Sequence, residues 1–213
     1  MKHLRARRGL TAAMAETERR GLNRGTTGNA SVRIAGGLLI TPSGVPCEGL
    51  TPGDMVEMAA DGKLRDAAAK PSSEWWFHKD ILAHRPEIGA VVHAHSPFAT
   101  VLAVHAKPIP AFHYMIALAG GSDIRCASYA TFGTQALSDA VLRALDGRDA
   151  CLMANHGLIA LGADIGGALA LAVEVEALAA MYVHALQLGS PKLLSAVEMR
   201  RVRAKFAKYG SQS

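Results

Sequence analysis

Cysteine is scarce in this chain: Cys47, Cys126 and Cys151 are odd in number, far apart and without a C-x-x-C pair. That excludes a disulfide framework and leaves them as small buried apolar residues. No apolar run reaches the roughly 18 residues a membrane span needs. The Ala-rich stretch from Gly162 to Leu188 is interrupted by Asp164, Glu174, Glu176 and His184, so no membrane partner is expected. No Pro/Ser-rich or charged linker and no solenoid-period repeat divides the sequence, which predicts one domain over residues 1–213. Neither an apolar h-region nor a small-residue cleavage site follows the basic start, Lys2, Arg5, Arg7 and Arg8, so a cytoplasmic protein is expected.

Further absences narrow the chemistry. The net charge of +5 is concentrated in the two terminal helical segments, where Arg and Lys alternate with Glu and aromatics are few. That pattern does not suggest nucleic-acid binding, whereas an anionic small substrate suits the charge. No serine lies in a G-x-S-x-G elbow and no cysteine has a partner pattern, so covalent catalysis lacks a candidate. Lys70 and Lys79 sit in polar surroundings that do not suit a Schiff-base lysine.

With half its residues apolar, the chain can bury a substantial core. Helical spacing of Leu10, Met14, Thr17 and Leu22 predicts a surface helix from Leu4 to Leu22. Residues 25–34 read as a small-residue turn entering a strand, and Gly36-Gly37 closes a hairpin onto Leu38–Thr41. A second small-residue loop, residues 42–46, follows, and Asp61-Gly62 predicts a hairpin between residues 55–58 and Lys63-Leu64. Pro71-Ser72-Ser73-Glu74 places a serine at the N-cap of a helix that Arg85-Pro86 ends. Helices are also expected over Phe98–Val104, Thr134–Leu145, Asp164–Leu188 and from Ser195 to about Tyr209, and strands over residues 90–95, 150–154 and 158–161. Short strands with helices between them predict an α/β protein with three α/β/α layers and a mixed, mostly antiparallel central sheet.

The strand Ala90-Val91-Val92-His93-Ala94-His95 ends in two imidazoles that share a face because strand side chains alternate with period two. Such a pair is half of a metal site; H-x-H also occurs where both rings simply bond carbonyls or water. His156, in the turn Asn155-His156-Gly157 between two strands, completes a three-imidazole set of the kind that leaves a metal position open. Glu74, in the first turn of its helix, can simply complement the helix dipole. The glycine- and serine-rich loops at residues 25–29 and 42–46 and the helix opening at Ser72-Ser73 can each cradle an anion with backbone amides and hydroxyls.

The runs Gly28-Asn29-Ala30-Ser31-Val32-Arg33, Ile40-Thr41-Pro42-Ser43-Gly44, Pro71-Ser72-Ser73-Glu74-Trp75, Val91-Val92-His93-Ala94-His95 and Asn155-His156-Gly157-Leu158-Ile159 together resemble the class II aldolase/adducin family. Residues 109–135 are similar to the branch that cleaves L-fuculose 1-phosphate, and the resemblance extends down to Phe206–Gly210. It implies one zinc ion per subunit on His93, His95, His156 and Glu74, with Glu74 leaving the metal to become the general acid/base. It places the substrate phosphate among Gly28, Asn29, Ser43, Gly44, Ser72 and Ser73. It further implies that Tyr114 reaches from a neighbouring subunit to the aldehyde oxygen, that Phe132 and Tyr209 position the aldehyde tail, and that the enzyme is a homotetramer with active sites at subunit interfaces. The implied reaction splits a phosphorylated ketose, L-fuculose 1-phosphate or a similar short deoxy-ketose 1-phosphate, into dihydroxyacetone phosphate and L-lactaldehyde or its analogue through a metal-stabilised enediolate. Related members act as 5-deoxyribulose-1-phosphate aldolases, methylthioribulose-1-phosphate dehydratases or ribulose-5-phosphate 4-epimerases, and adducin-like members are non-catalytic binding modules. Intact Glu74, His93, His95 and His156 argue against the last. Cys47, where the fuculose branch has a tyrosine, and Asn155 beside the third histidine depart from the pattern without removing a ligand.

Overall fold

The computed structural model describes residues 1–65 and 69–207. Its strands are β1 (Asn29–Ile34), β2 (Gly37–Ile40), β3 (Val56–Ala59), β4 (Ala90–Ala94), β5 (Arg125–Ala127), β6 (Ala150–Met153) and β7 (Gly157–Gly162). They form one sheet in the order β3-β2-β1-β4-β7-β6-β5, antiparallel at every pairing except β5 with β6.

Period-two alternation sends each strand's residues into two separate cores. Ala30, Val32, Ala90, Val92, Leu158 and Ala160 pack on one face with α1 (Leu4–Arg19), α3 (Pro97–Val104), α5 (Ile165–Gln187) and α6 (Ala196–Phe206). Val91, Cys151, Met153, Ile159 and Leu161 pack on the other with α2 (Trp75–His84) and α4 (Gln135–Ala144). The layers are therefore α/β/α, with the mixed sheet that the short strands predict. Phe77 and Ile81, four apart on α2 and essentially unexposed, seat that helix on the sheet; burying each contributes roughly 1.5–3 kcal/mol.

Several boundaries differ from those read in the sequence. α1 stops at Arg19 because Gly21 enters the left-handed region at φ 71°. The second arm of the Asp61-Gly62 hairpin is a single bridge, Met58 to Leu64. Glu74 rather than a serine occupies the N-cap position of α2 and makes no side-chain cap bond, while Ser72 Oγ accepts from the Glu74 N–H at 3.3 Å. The three-residue β5 and a 3₁₀ turn at Tyr114–Ala119 carry no periodic signal of their own. α6 ends at Phe206; the expected end at Tyr209 lies outside the described residues. By length and composition α5 could cross a membrane. Here Ala168, Ala172, Val175, Leu178 and Ala179 are buried in the first core, and Met181 is exposed.

Candidate metal centre and cleft

His93 lies on β4, opposite Asn29 of β1 and Ile159 of β7. His95 follows the strand end, where its N–H donates to Asn23 Oδ1 at 3.0 Å. His156 belongs to the turn joining β6 to β7, in which Asn155 adopts a left-handed φ of 56°. Gly157 is required there by close approach, since a Cβ would fall 2.3 Å from the Ala94 carbonyl oxygen. Glu74 enters from the start of α2. The rings of His93, His95 and His156 stand 4.8–4.9 Å apart, centroid to centroid. His95 Nε2 is 2.9 Å from His93 Nε2, and Glu74 places Oε2 3.2 Å from His93 Nε2 and Oε1 3.1 Å from His156 Nε2.

One ring of the pair bonds a carbonyl, and its other nitrogen faces a cluster that could hold a metal ion. His93 Nδ1 meets the Leu158 carbonyl at 2.8 Å, which keeps the proton on Nδ1 and leaves the Nε2 lone pair facing the other donors. One ligand atom from each of Glu74, His93, His95 and His156 lies within 4.8 Å of all the others. Among the described residues Glu74 Oε1 is buried without an aligned hydrogen-bond donor, despite its nearness to His156. Such an orphaned oxygen is costly unless a cation meets it. Three imidazoles and a carboxylate fit a borderline divalent ion.

The electrostatics agree. Burial pushes the Glu74 carboxyl up, but the charge of His93 and the contacts of His156 and His93 hold it below the usual carboxylate range. Burial also works against a charged His93, yet Glu74 raises it above the ordinary histidine value. The cluster thus attracts positive charge, whether proton or metal ion. Burial, with His93 and His156 adding to it, brings His95 down to about 4, so its lone pair is available at neutral pH.

Beside these residues opens a cleft of about 540 Å³, a volume suited to a small ligand. Gly28, Asn29, Ser43, Gly44, Ser72, Ser73 and Phe132 all line it, as do Glu74, His95 and His156. Among its described lining residues none is Lys or Arg, so an anion there meets amides and hydroxyls. The Ser43 and Ser72 N–H groups are already committed to the Lys70 and Thr41 carbonyls, which leaves a ligand the Ser43 hydroxyl and the O–H of Ser72, whose oxygen accepts from the Glu74 N–H. Gly28 has φ 74° and no room for a side chain: a Cβ would lie 2.2 Å from Asn23 Nδ2. Tyr114 is not at the cleft; it is 49% exposed and stacks on Phe206. Tyr209 lies outside the described residues.

Thr26 and Thr27 of the first small-residue loop and Asn155 beside His156 also line the cleft, as do Tyr129 and Ala130, which the sequence did not single out. Asn23, which holds the His95 backbone, and His78 were also missed. His78 is fully buried, with Nε2 2.6 Å from Asn29 Oδ1 and Nδ1 2.8 Å from Ser31 Oγ, while Asn29 Nδ2 donates to Glu74 Oε2 at 2.8 Å. The available signals were Glu74 and His78 at helical i, i+4 spacing and Asn29 and Ser31 at strand i, i+2 spacing.

Comparison with known proteins places these features in context. Residues 8–183 match the model of the class II aldolase and adducin N-terminal domain. The chain is 55% identical over 207 residues to a 5-methylthioribulose-1-phosphate/5-deoxyribulose-1-phosphate aldolase of Rhodospirillum rubrum, covering 97% of this chain and 93% of that one. It is 48% identical over 196 residues to an L-fuculose phosphate aldolase of Escherichia coli, covering 92% and 91%. A solved L-fuculose 1-phosphate aldolase superposes with a TM-score of 0.92 at 38% identity, over 95% of this chain and 96% of that one.

Proposed function

The chain belongs to the class II aldolase and adducin family and is an aldehyde-lyase, and on that premise we propose that it cleaves a short deoxy-ketose 1-phosphate to dihydroxyacetone phosphate and a small aldehyde. What carries this assignment is one cleft holding Glu74, His95 and His156 together with all three small-residue loops. The Rhodospirillum relative directs attention first to 5-deoxyribulose 1-phosphate and 5-methylthioribulose 1-phosphate. L-Fuculose 1-phosphate is the second reading, favoured by the superposition on a fuculose-phosphate aldolase.

Glu74, His93, His95 and His156 would hold one zinc ion per subunit. Such an ion supplies positive charge where negative charge develops as the C3–C4 bond breaks. The chain's own residues do the rest. Gly28, Asn29, Ser43, Gly44, Ser72 and Ser73 bind the phosphate and fix the ketose in the cleft. The C4 hydroxyl gives up its proton as it becomes the aldehyde oxygen, the C3–C4 electron pair moves towards the C2 carbonyl, and C3 gains a proton. Glu74 handles the proton at C3 as general acid/base, and Tyr114 handles the one at the aldehyde oxygen. Phe132 and Tyr209 contact the aldehyde tail. Because Tyr114 is remote from the cleft of its own chain, it acts on a neighbour's, which calls for an oligomer; we assign a cytoplasmic homotetramer built from one domain over residues 1–213.

The test is a panel of ketose phosphates, with dihydroxyacetone phosphate detected through coupled NADH oxidation and bound metal counted by elemental analysis. The expected result is dihydroxyacetone phosphate from a deoxy-ketose 1-phosphate by a protein with one metal ion per chain. A protein that binds no divalent ion, or one that consumes methylthioribulose 1-phosphate without releasing dihydroxyacetone phosphate, refutes the proposal. Mixing Tyr114→Phe with Glu74→Gln chains restores turnover if each site draws on two subunits.

A further inference from the structure

His78 has no part in the roles assigned above, yet the fold buries it completely behind Asn29 of the cleft. Two spacings bring it there. Asn29 and Ser31 face the α2 side of β1, because Ala30 and Val32 between and beyond them belong to the opposite core. Glu74 and His78 are four apart at the start of α2 and share a helix face. Seating α2 through Phe77 and Ile81 therefore sets the two pairs against each other.

Every donor in this set follows from the charge on Glu74. An ionised carboxylate only accepts, so the Asn29 atom 2.8 Å from Oε2 is the amide nitrogen and Oδ1 turns to His78. Oδ1 likewise only accepts, so His78 Nε2, 2.6 Å away, carries a proton. A neutral ring protonated at Nε2 has its lone pair on Nδ1, which accepts from the Ser31 hydroxyl at 2.8 Å. Complete burial pushes the His78 pKa down to about 3, so the ring stays neutral. Three hydrogen bonds thus run one way, from Ser31 through His78 and Asn29 to Oε2. At the far oxygen, Oε1, no aligned donor is present among the described residues.

We infer that Ser31, His78 and Asn29 clamp Oε2 of Glu74, so that proton exchange with the substrate takes place at Oε1. His78 is a positioning residue that acts through Asn29. Without a donor at its Nε2 position the Asn29 amide is free to turn over, which sets oxygen against oxygen and releases the carboxylate from its orientation. This inference rests on Glu74 being the acid/base, but the hydrogen-bond file can be observed without turnover.

The experiment is nitrogen NMR of protein labelled with ¹⁵N-histidine, metal-free and metal-loaded, beside kinetics of His78→Gln and His78→Phe. The signal missing from His78→Gln identifies the residue; it should report a neutral ring with Nε2 protonated and Nδ1 bare. His78→Gln keeps an N–H near the Nε2 position and holds kcat within about threefold, whereas His78→Phe, with metal retained, loses about 10- to 100-fold, the usual effect of removing an orienting outer-shell partner. If His78→Phe does not fold, Ser31→Ala serves instead: the Nε2–H tautomer should persist, because Asn29 still demands it. An Nδ1–H tautomer, an imidazolium, or equal kcat for the Gln and Phe variants overturns the clamp. A chain with the Nε2–H tautomer that turns over no ketose phosphate refutes the aldolase reading and leaves the clamp standing.

Discussion

Glu176 on α5 reaches across to the first turn of α3, where its carboxylate accepts from Ser96 Oγ at 2.7 Å and from the N–H groups of Phe98 and Ala99 at 2.8 and 2.9 Å. Ser96 makes no side-chain cap of its own, so a residue about eighty positions away does what a local N-cap does elsewhere. Glu176→Ala removes three charge-assisted hydrogen bonds and strands two amides. Bonds to a charged partner contribute about 1.5–3 kcal/mol each, but this site is only partly buried and water replaces some of them, so the loss should be about 2–4 kcal/mol. For a chain of this size that is about 4–16 °C in Tm. Ser96→Ala, which deletes one of the three bonds, should cost about 1 kcal/mol. The measurement is thermal unfolding at fixed protein and metal concentration, since ligand and subunit binding both move Tm. His95 directly precedes Ser96, so Glu176→Ala should also retain less metal on dialysis. A melt within about 1 °C of the parent, or a larger effect from Ser96→Ala than from Glu176→Ala, refutes this account.

Three further outcomes follow from the same geometry. His95→Ala, losing one of the converging imidazoles, should retain little divalent metal by elemental analysis after dialysis while keeping its far-UV circular dichroism. Glu74→Gln should keep part of its metal and lose about 10²–10⁴-fold in kcat, the usual weight of a general acid/base; full activity would remove Glu74 from that role. Gly28→Ala should lower stability by about 2–4 kcal/mol, because it combines a left-handed backbone with overpacking. Asn23 cannot give way, being held by Thr17 Oγ1 and the His95 N–H; an unchanged denaturation midpoint would contradict this.

Local periodicity carried much of the architecture. Alternation along residues 90–95 was enough to put His93 and His95 on one face, and punctuation by glycine and proline marked the loops that line the cleft. Those signals are legible because they depend on neighbours a few residues apart, as do the helices over residues 75–84 and 165–187. Glu74 was ambiguous for the same reason: its neighbours in the chain say only that it begins a helix. The ligand set and phosphate loops were attached to a reaction by resemblance to a family, not by spacing.

Tertiary structure decided whatever depends on which face meets which. His78 in the sequence is one more histidine on a helix; only the seating of α2 against the sheet turns it towards Asn29 and makes its tautomer a consequence of the charge on Glu74. Glu176 reads as an interruption in an apolar helix until α5 packs against α3 and its carboxylate finds unpaired amides. By resemblance Tyr114 reads as a group offered to a neighbouring subunit's site, and the fold keeps it on an exposed surface away from its own cleft. Sequence by itself determined the local geometry of the donors, since that follows from backbone period. Their partners were set by long-range packing, because hydrogen-bond direction and burial exist only once distant segments are in contact.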